Sequence, residues 1–407
     1  MNISFEDTKT AFAYKTDKEL KLARFLFASM RKKWLIFLGL KITPLALKLN
    51  LPLKGLIRKT IFRQFVGGET LQQTSGVAER LGQFHVQVIL DYGVEGKEGE
   101  ENFEKVINEF IKVIRYAANQ PNIPFMSVKM TGFSRFALLE KLNGVSVYED
   151  IIQGKLPLEI LTDVEKEEWQ KIVHRLQTLC ETAQRANIGV LIDAEESWIQ
   201  APIDALTMQM MQQFNMEKAV IYNTAQLYRN DRLQFVKESN AFAKTNNFIL
   251  GMKLVRGAYL EKERERAKEL NYPSPIHETK QETDNDYNAA LEFCVNPVNN
   301  VYTIVGSHNE YSNLYGTELM KNFSIPLNSN RIHFSQLFGM SDNITFNLAK
   351  AGCSVSKYLP FGPIKEVIPY LMRRAQENSS VSGQTGKELL LIKKELKRRG
   401  LGNLDNC

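Results

Sequence analysis

The chain has 407 residues, 43% of them hydrophobic and 24% charged, an ordinary balance for a globular protein with a large core, which excludes intrinsic disorder. It exceeds one average domain of about 100–200 residues, yet an α/β barrel runs past ~250 residues as one unit. The net charge of +6 is uneven: residues 1–70 carry 14 Lys/Arg against 5 Asp/Glu, so this stretch is about +9 and the remainder about −3.

Residues 1–80 read as several basic amphipathic helices. Glu6 and Asp7 precede any apolar run, unlike a secretory or transit leader, so no cleaved targeting segment is expected. The most apolar run, Trp34 to Leu51, is broken by Lys41, Pro44 and Lys48 and falls short of the ~20 residues a membrane-spanning helix needs. Cys180, Cys294, Cys353 and Cys407 lie far apart with no paired spacing, which suits reduced thiols in a cytosol-like compartment and shows no zinc motif.

From residue 81 onward, short β-branched or apolar runs recur: FHVQVIL (84–90), FMSVKMT (125–131), GVLIDAE (189–195), KAVIYNT (218–224) and FILGMKLV (248–255), then VYTIVGS (301–307), RIHFSQL (331–337) and SVSKYLP (354–360). Helical stretches with apolar spacing of three and four separate most of them, among them ENFEKVINEFIKVIRYAA and LQFVKESNAFAK. Eight alternating units predict an α/β fold, a single (βα)8 barrel spanning residues 81–380, with an open doubly wound sheet as the alternative. Residues 135–187 read as an extra helical insertion, and 381–407 as a basic helical tail after a Ser/Gly-rich break.

In such a barrel the polar residues at the C-terminal ends of strands line the site. Lys129 interrupts an apolar strand, so it either meets an anion in the site or belongs to a buried structural salt bridge. Asp193, followed by Glu195 and Glu196, closes the third strand and Asn223 closes the fourth, as site residues or as caps of the following helices. KLVRGAY (253–259) offers two cations and a glycine where backbone approaches a phosphate-bearing cofactor. His308, in GSHN, is one of only five histidines, structural or in contact with a cofactor.

The strongest local pattern is YLPFGPIKEVIPYLMRRAQEN, in which Tyr370, Arg373, Arg374 and Glu377 share one helix face. Two guanidinium forks beside an aromatic suit bidentate capture of a carboxylate or phosphate. A solvated stripe with an internal Arg373–Glu377 pair is the alternative. No GxGxxG follows any strand, so a Rossmann dinucleotide site is not expected.

Taken together, LDYGVE, SVKMT, IDAEES, IYNTAQ, KLVRGAYLEKERERA, VGSHNE, LFGMSD and YLPFGP…YLMRRAQEN, in that order, resemble the proline dehydrogenase family. The resemblance begins at FEDTKTAFAYKTDKEL and runs to the C-terminal helix. It implies a distorted (βα)8 barrel carrying FAD, which oxidises L-proline to Δ1-pyrroline-5-carboxylate and passes electrons to a membrane quinone.

Carried over residue by residue, the resemblance implies that Arg373 and Arg374 bind the proline carboxylate with Lys129 close by. Tyr259, Leu337, Tyr358 and Tyr370 would pack the ring, Asp193 would support that wall through Tyr358, and Glu95 would pair with the first arginine on closure. Lys129, Asp193 and Lys253 are the groups it assigns to the reacting centre. For FAD it implies Ala194, Asn223, Lys253, Val255, Arg256, Gly257, Ala258, Thr283, Ser307, His308, Arg374 and Glu377. Lys253 and Asn223 stand where bacterial bifunctional members carry Arg and Gln, so the chain resembles the mitochondrial type, and a monofunctional form without their aldehyde dehydrogenase domain is expected.

Hydroxyproline dehydrogenase is the near alternative, disfavoured by the bulk of Tyr358. A methylenetetrahydrofolate-reductase-like flavin barrel gives no reason for the paired arginines. A non-enzymatic basic protein that binds nucleic acid or membrane leaves the motifs unexplained, and no nucleic-acid module is visible. A cytoplasmic location is expected, with the basic N-terminus either in peripheral contact with the inner membrane face or serving as a cationic cover for the barrel. No metal is expected.

Overall fold

The computed structural model describes residues 3–32, 34, 54–93, 98–143, 151–152, 155, 160–380 and 384–401, the side chains of 377–380 and 384–385 excepted. All eight expected strands form: β1 Gln87–Tyr92, β2 Phe125–Val128, β3 Gly189–Ile192, β4 Ile221–Gln226, β5 Gly251–Val255, β6 Tyr302–Gly306, β7 Ile332–Leu337 and β8 Val355–Phe361. They are hydrogen-bonded in chain order and β1 returns to β8, so the sheet is a closed barrel and the open doubly wound alternative falls. The paired strands are parallel, as in β2–β3 with Val128 opposite Ile192 and β4–β5 with Thr224 opposite Lys253.

Strand ends differ from the sequence reading for local reasons. β1 starts at Gln87 rather than Phe84, because the backbone turns at His85, whose φ is 58°. β2 stops at Val128, where Met130–Gly132 turns into a short 3-10 helix. Glycines on neighbouring strands make room for bulky partners: a Cβ at Gly189 would lie 2.3 Å from the Phe125 ring.

The chain folds as two compact units, Met1–Glu95 with Ser335–Cys407, and Gly96–Phe334. In the second unit the helices are α4 (Glu100–Ala117), α5 (Phe136–Asn143), α6 (Asp163–Ala186), α7 (Ser197–Phe214), α8 (Arg232–Thr245), α9 (Leu260–Glu269), α10 (Lys280–Val295) and α11 (Glu310–Asn322). α4 buries Phe103, Val106, Ile107, Phe110, Val113 and Ile114, a single stripe at three- and four-residue spacing. α6 opens on a capping box in which Thr162 accepts from Glu165 N–H and the Glu165 carboxylate accepts from Thr162 N–H. With α5 it supplies the helical content expected between the second and third strands.

In the first unit, α1 (Thr8–Ala11), α2 (Asp17–Met30) and α3 (Leu71–Gly82) precede β1, and α12 (Asp342–Lys350), α13 (Ile364–Ser380) and α14 (Gln384–Arg398) follow β7. One cluster joins them: Phe12, Leu20 and Phe27 from the N-terminal segment with Val367 and Leu371 of α13 and Leu389, Ile392 and Leu396 of α14. The N-terminal helices and the C-terminal helix thus share a core, each burying one face.

Candidate active site

Within the second unit, the polar residues at the strand ends converge on Asp193. Its backbone N–H donates to Val128 O (2.9 Å), extending the β2–β3 ladder by one residue. Its carboxylate accepts from Ser127 Oγ (2.5 Å), from Lys253 Nζ, and from Lys129 Nζ at 3.5 Å. Burial opposes its ionisation, but the charges of Lys253 and Lys129 and the bonds from Lys253 and Ser127 outweigh it and hold the carboxyl well below the usual range. The arrangement is an anion flanked by two cations. Lys253 is 8% exposed at its side chain and Lys129 is 20% exposed, so the second keeps access to solvent or ligand.

Neither Asp193 nor Asn223 caps a helix: Glu196 stands at the N-cap of α7, with no side-chain bond to it, and α8 starts after Asp231. Asn223 instead donates to Asp204 (3.0 Å), which also accepts from Gln200 Nε2 (2.8 Å) and Arg232 Nη1 (2.7 Å), so it ties β4 to α7 and α8. Gln226, at the end of β4, donates to the Glu195 carbonyl (2.8 Å) and accepts from the Ala258 N–H (3.0 Å). That joins the turns after β3 and β5. Glu195, noted in the sequence only as following Asp193, is 3% exposed and accepts from the Thr131 N–H (3.0 Å) and hydroxyl. Burial pushes its carboxyl up to about 7 against those bonds. An acidic residue two positions after Asp193 in IDAEES is its only signal in the sequence.

After β5, the Arg256 guanidinium donates to Asp284 Oδ1 (2.7 Å), Ser307 Oγ (2.8 Å) and Ser312 Oγ (3.0 Å) and lies 4.3 Å from the Tyr287 ring centroid. Gly257 has φ 142°, and a Cβ there would meet the Tyr228 ring at 2.5 Å, so only glycine lets the chain lie on that ring. Thr283 sits half-buried beside Asp284 on α10; Ser307 and His308 follow β6 directly. Ala194 and Val255 are partly exposed at their strand ends. Tyr259 precedes α9, with Lys262 Nζ 5.7 Å from its ring centroid. A guanidinium, hydroxyls, a histidine and an exposed glycine backbone at adjacent strand ends fit a phosphate-bearing flavin.

Within the first unit, α13 carries the arginine pair. Arg374 is 6% and Tyr370 is 8% exposed, with the Arg374 guanidinium carbon 5.3 Å from the Tyr370 ring centroid, and Arg373 is half-buried. This face is not the solvated stripe of the alternative reading. The Glu377 side chain and all of Glu95 lie outside the described residues. Leu337 ends β7 and Tyr358 sits in β8, each the one partly exposed residue of its strand.

The closed sheet of eight parallel strands with its helices defines a protein of the (βα)8-barrel class. The family model of proline dehydrogenase matches residues 75–387. Proline dehydrogenase 1, mitochondrial, of Dictyostelium discoideum is 35% identical over 87% of this chain and 67% of its own length. The carbapenem biosynthesis protein CarD of Pectobacterium carotovorum subsp. carotovorum is 35% identical (84% and 85% covered), and hydroxyproline dehydrogenase of Xenopus laevis 32% (84% and 78%). Among solved structures, proline utilization A of Bdellovibrio bacteriovorus, inactivated by N-propargylglycine, superposes with a TM-score of 0.71 at 18% identity, over 94% of this chain. The chain spans 40% of that protein's length.

The chain belongs to the proline dehydrogenase family, and it is similar over most of its length to the mitochondrial members. The readings as a folate-reductase-like barrel and as a non-enzymatic basic protein fall with that match. Among the described residues, no helix is long and apolar enough to cross a membrane and no group of metal-ligating side chains assembles.

Proposed function

We propose that this chain oxidises L-proline to Δ1-pyrroline-5-carboxylate with FAD and passes the electrons to a membrane quinone, the first step of proline catabolism to glutamate. The observation that carries the reading is the burial of Arg374 against Tyr370 with Arg373 beside it. Two adjacent guanidiniums, Arg374 buried against the Tyr370 ring and Arg373 half-buried beside it, suit an anion, and their planar forks match the two oxygens of a carboxylate.

Arg373 and Arg374 take the proline carboxylate. Leu337, Tyr358, Tyr370 and Tyr259 pack the ring and exclude water, and Glu95 pairs with Arg373 on closure. Lys129 adds positive charge for the carboxylate, while Asp193 fixes the Lys129 and Lys253 ammoniums. Ala194, Asn223, Lys253, Val255, Arg256, Gly257, Ala258, Thr283, Ser307, His308, Arg374 and Glu377 hold FAD. When bound, FAD supplies at N5 the acceptor for the hydride leaving the carbon next to nitrogen. The ring gives up hydride as a neutral amine, so turnover rises with pH as the substrate deprotonates.

The route to quinone involves the basic N-terminal region. The outer face of α2 presents Lys18, Lys21 and Phe25, the last 62% exposed, a basic and apolar face of the kind that rests on anionic lipid. Because α2 buries Leu20, Ala23 and Phe27 in the core, deletion would unfold the unit. Lys18→Glu/Lys21→Glu/Phe25→Ser is the informative variant, and co-sedimentation with anionic liposomes equal to the parent removes this face from the membrane role.

A second reading, 4-hydroxyproline oxidation, is favoured by the similarity to the Xenopus laevis enzyme. Tyr358 opposes it by crowding a 4-hydroxyl. Comparing kcat/KM for the two substrates, with the cyclic imine product identified chromatographically, tests the proposal. Higher kcat/KM for proline is expected, and preference for hydroxyproline reverses it.

A further inference from the structure

The segment from Leu337 to Asp342 is tied down residue by residue within the first unit. Phe338 N–H donates to the Tyr358 carbonyl (2.9 Å), and Gln64 Nε2 donates to the Gly339 carbonyl (2.7 Å). The Ser341 N–H donates to Glu388 of α14, and Asp342 accepts from Tyr14 Oη (2.9 Å) and faces Lys15 at 3.6 Å. Two residues in this short stretch take positive φ, Gly339 at 81° and Ser341 at 49°. Glycine adopts such a φ readily, whereas a serine in the left-handed region persists only where its surroundings over-determine it.

Lys357 is the centre of those ties. Its side chain is 0% exposed in β8, and its ammonium donates to the Leu337 carbonyl (3.4 Å) and the Met340 carbonyl (2.5 Å) and pairs with Asp342 Oδ1 (2.9 Å). Both hydrogen bonds and the ion pair of this ammonium fall on this one segment. Replacing a buried ion pair with apolar side chains is often neutral or stabilising, so stability alone is a weak reason for this cluster. What the cluster supplies is a fixed path for the segment.

The consequence reaches the substrate. Lys357 and Tyr358 are adjacent in a strand and so point to opposite faces, one gripping the segment by its side chain and the other by its main chain. We propose that Lys357 is a positioning residue: with Asp342 and Glu388 it sets the path of Leu337–Ser341 against β8, and so the surface that Leu337 and Tyr358 offer to a substrate ring. The inference rests on the proposed role of Leu337 and Tyr358 as ring contacts. It makes the C-terminal helix α14, through Glu388, part of the machinery that selects the ring.

The test separates ring from carboxylate. Calorimetric titrations of the flavin-loaded enzyme use cyclopentanecarboxylate, which needs the ring surface and the arginines, and acetate, which needs the arginines alone. Lys357→Met/Asp342→Asn removes both charges of the pair at nearly constant volume. It is expected to weaken cyclopentanecarboxylate about tenfold, the loss of part of one ring's packing, and to leave acetate binding unchanged. Glu388→Leu, which cuts the tie from α14, is expected to show the same selective loss and decides the matter if the double variant does not fold. Equal weakening of both ligands, or of neither, overturns the inference. A parent enzyme that binds the two ligands equally well removes the ring-contact role of Leu337 and Tyr358, and this inference with it.

Discussion

Replacing Asp193 by Asn strips the charge from the centre of the strand-end cluster while keeping its shape and one acceptor oxygen. Two ammoniums lose their counter-ion. Lys129, 20% exposed at its side chain, regains water, whereas Lys253, at 8%, does not. Leaving one buried charge uncompensated costs about 3–5 kcal/mol. Unfolding entropy of about 2.1 cal/mol/K per residue gives roughly 0.9 kcal/mol/K for a chain of this length, so the expected fall in Tm is about 3–6 °C. Asp193→Asn/Lys253→Met removes the stranded cation and is expected to recover most of that loss, a coupling between neighbours that a double-mutant cycle reads directly. Differential scanning calorimetry at pH 7.5 is the assay. A fall below ~1 °C for the single variant, or a double variant no more stable than the single, would refute the claim that the pair is desolvated and mutually dependent.

Arg373→Met and Arg374→Met should each raise KM for proline about 10–100-fold, the loss of one charge-assisted contact of about 1.5–3 kcal/mol, with the fold intact by circular dichroism; an unchanged KM in either overturns the carboxylate assignment. Gly257→Ala should lower flavin content, read from the ratio of visible to ultraviolet absorbance, because a Cβ would meet the Tyr228 ring at 2.5 Å and φ is 142°. Flavin content equal to the parent would contradict it. Stability should fall as pH rises from about 4.5 to about 7, because buried Glu195 and Glu388 each titrate near 7 in the folded chain, against 4.5 for an ordinary carboxyl. The folded state holds the proton through that window and the unfolded state releases it, at up to about 3 kcal/mol per group. Tm profiles of Glu195→Gln and Glu388→Gln should be flatter than the parent's, and parallel profiles would contradict the assignment.

How far the sequence carries is visible in particular residues. Alternation of apolar runs and helical periods places all eight strands, because a buried parallel strand needs a continuous apolar run and a crossover needs a helix. Boundaries drift where single residues override the pattern, as at His85, whose backbone turns before β1. A lysine inside an apolar strand singles out Lys129, and the structure gives it the carboxylate of Asp193. The same rule applied to SVSKYLP would find Lys357, whose neighbours Tyr358 and Leu359 draw the eye instead. Asp342 and Glu388 are out of reach, since their meaning lies in contacts between segments far apart in the chain. Basic composition at both termini suggests outer helices, but the apolar stripe of α14, Leu389, Ile392 and Leu396, faces Phe12, Leu20 and Phe27 in one core. Charge counts report the outer face of a helix and are silent about the inner one.

Proline oxidation by a bound flavin is tested most directly by one anaerobic titration of the purified protein with L-proline, followed by visible absorbance. A yellow protein with flavin bands that bleach stoichiometrically on adding proline, and recover on adding a soluble quinone, is the predicted result. A protein loaded with FAD whose flavin bands are untouched by proline would contradict it.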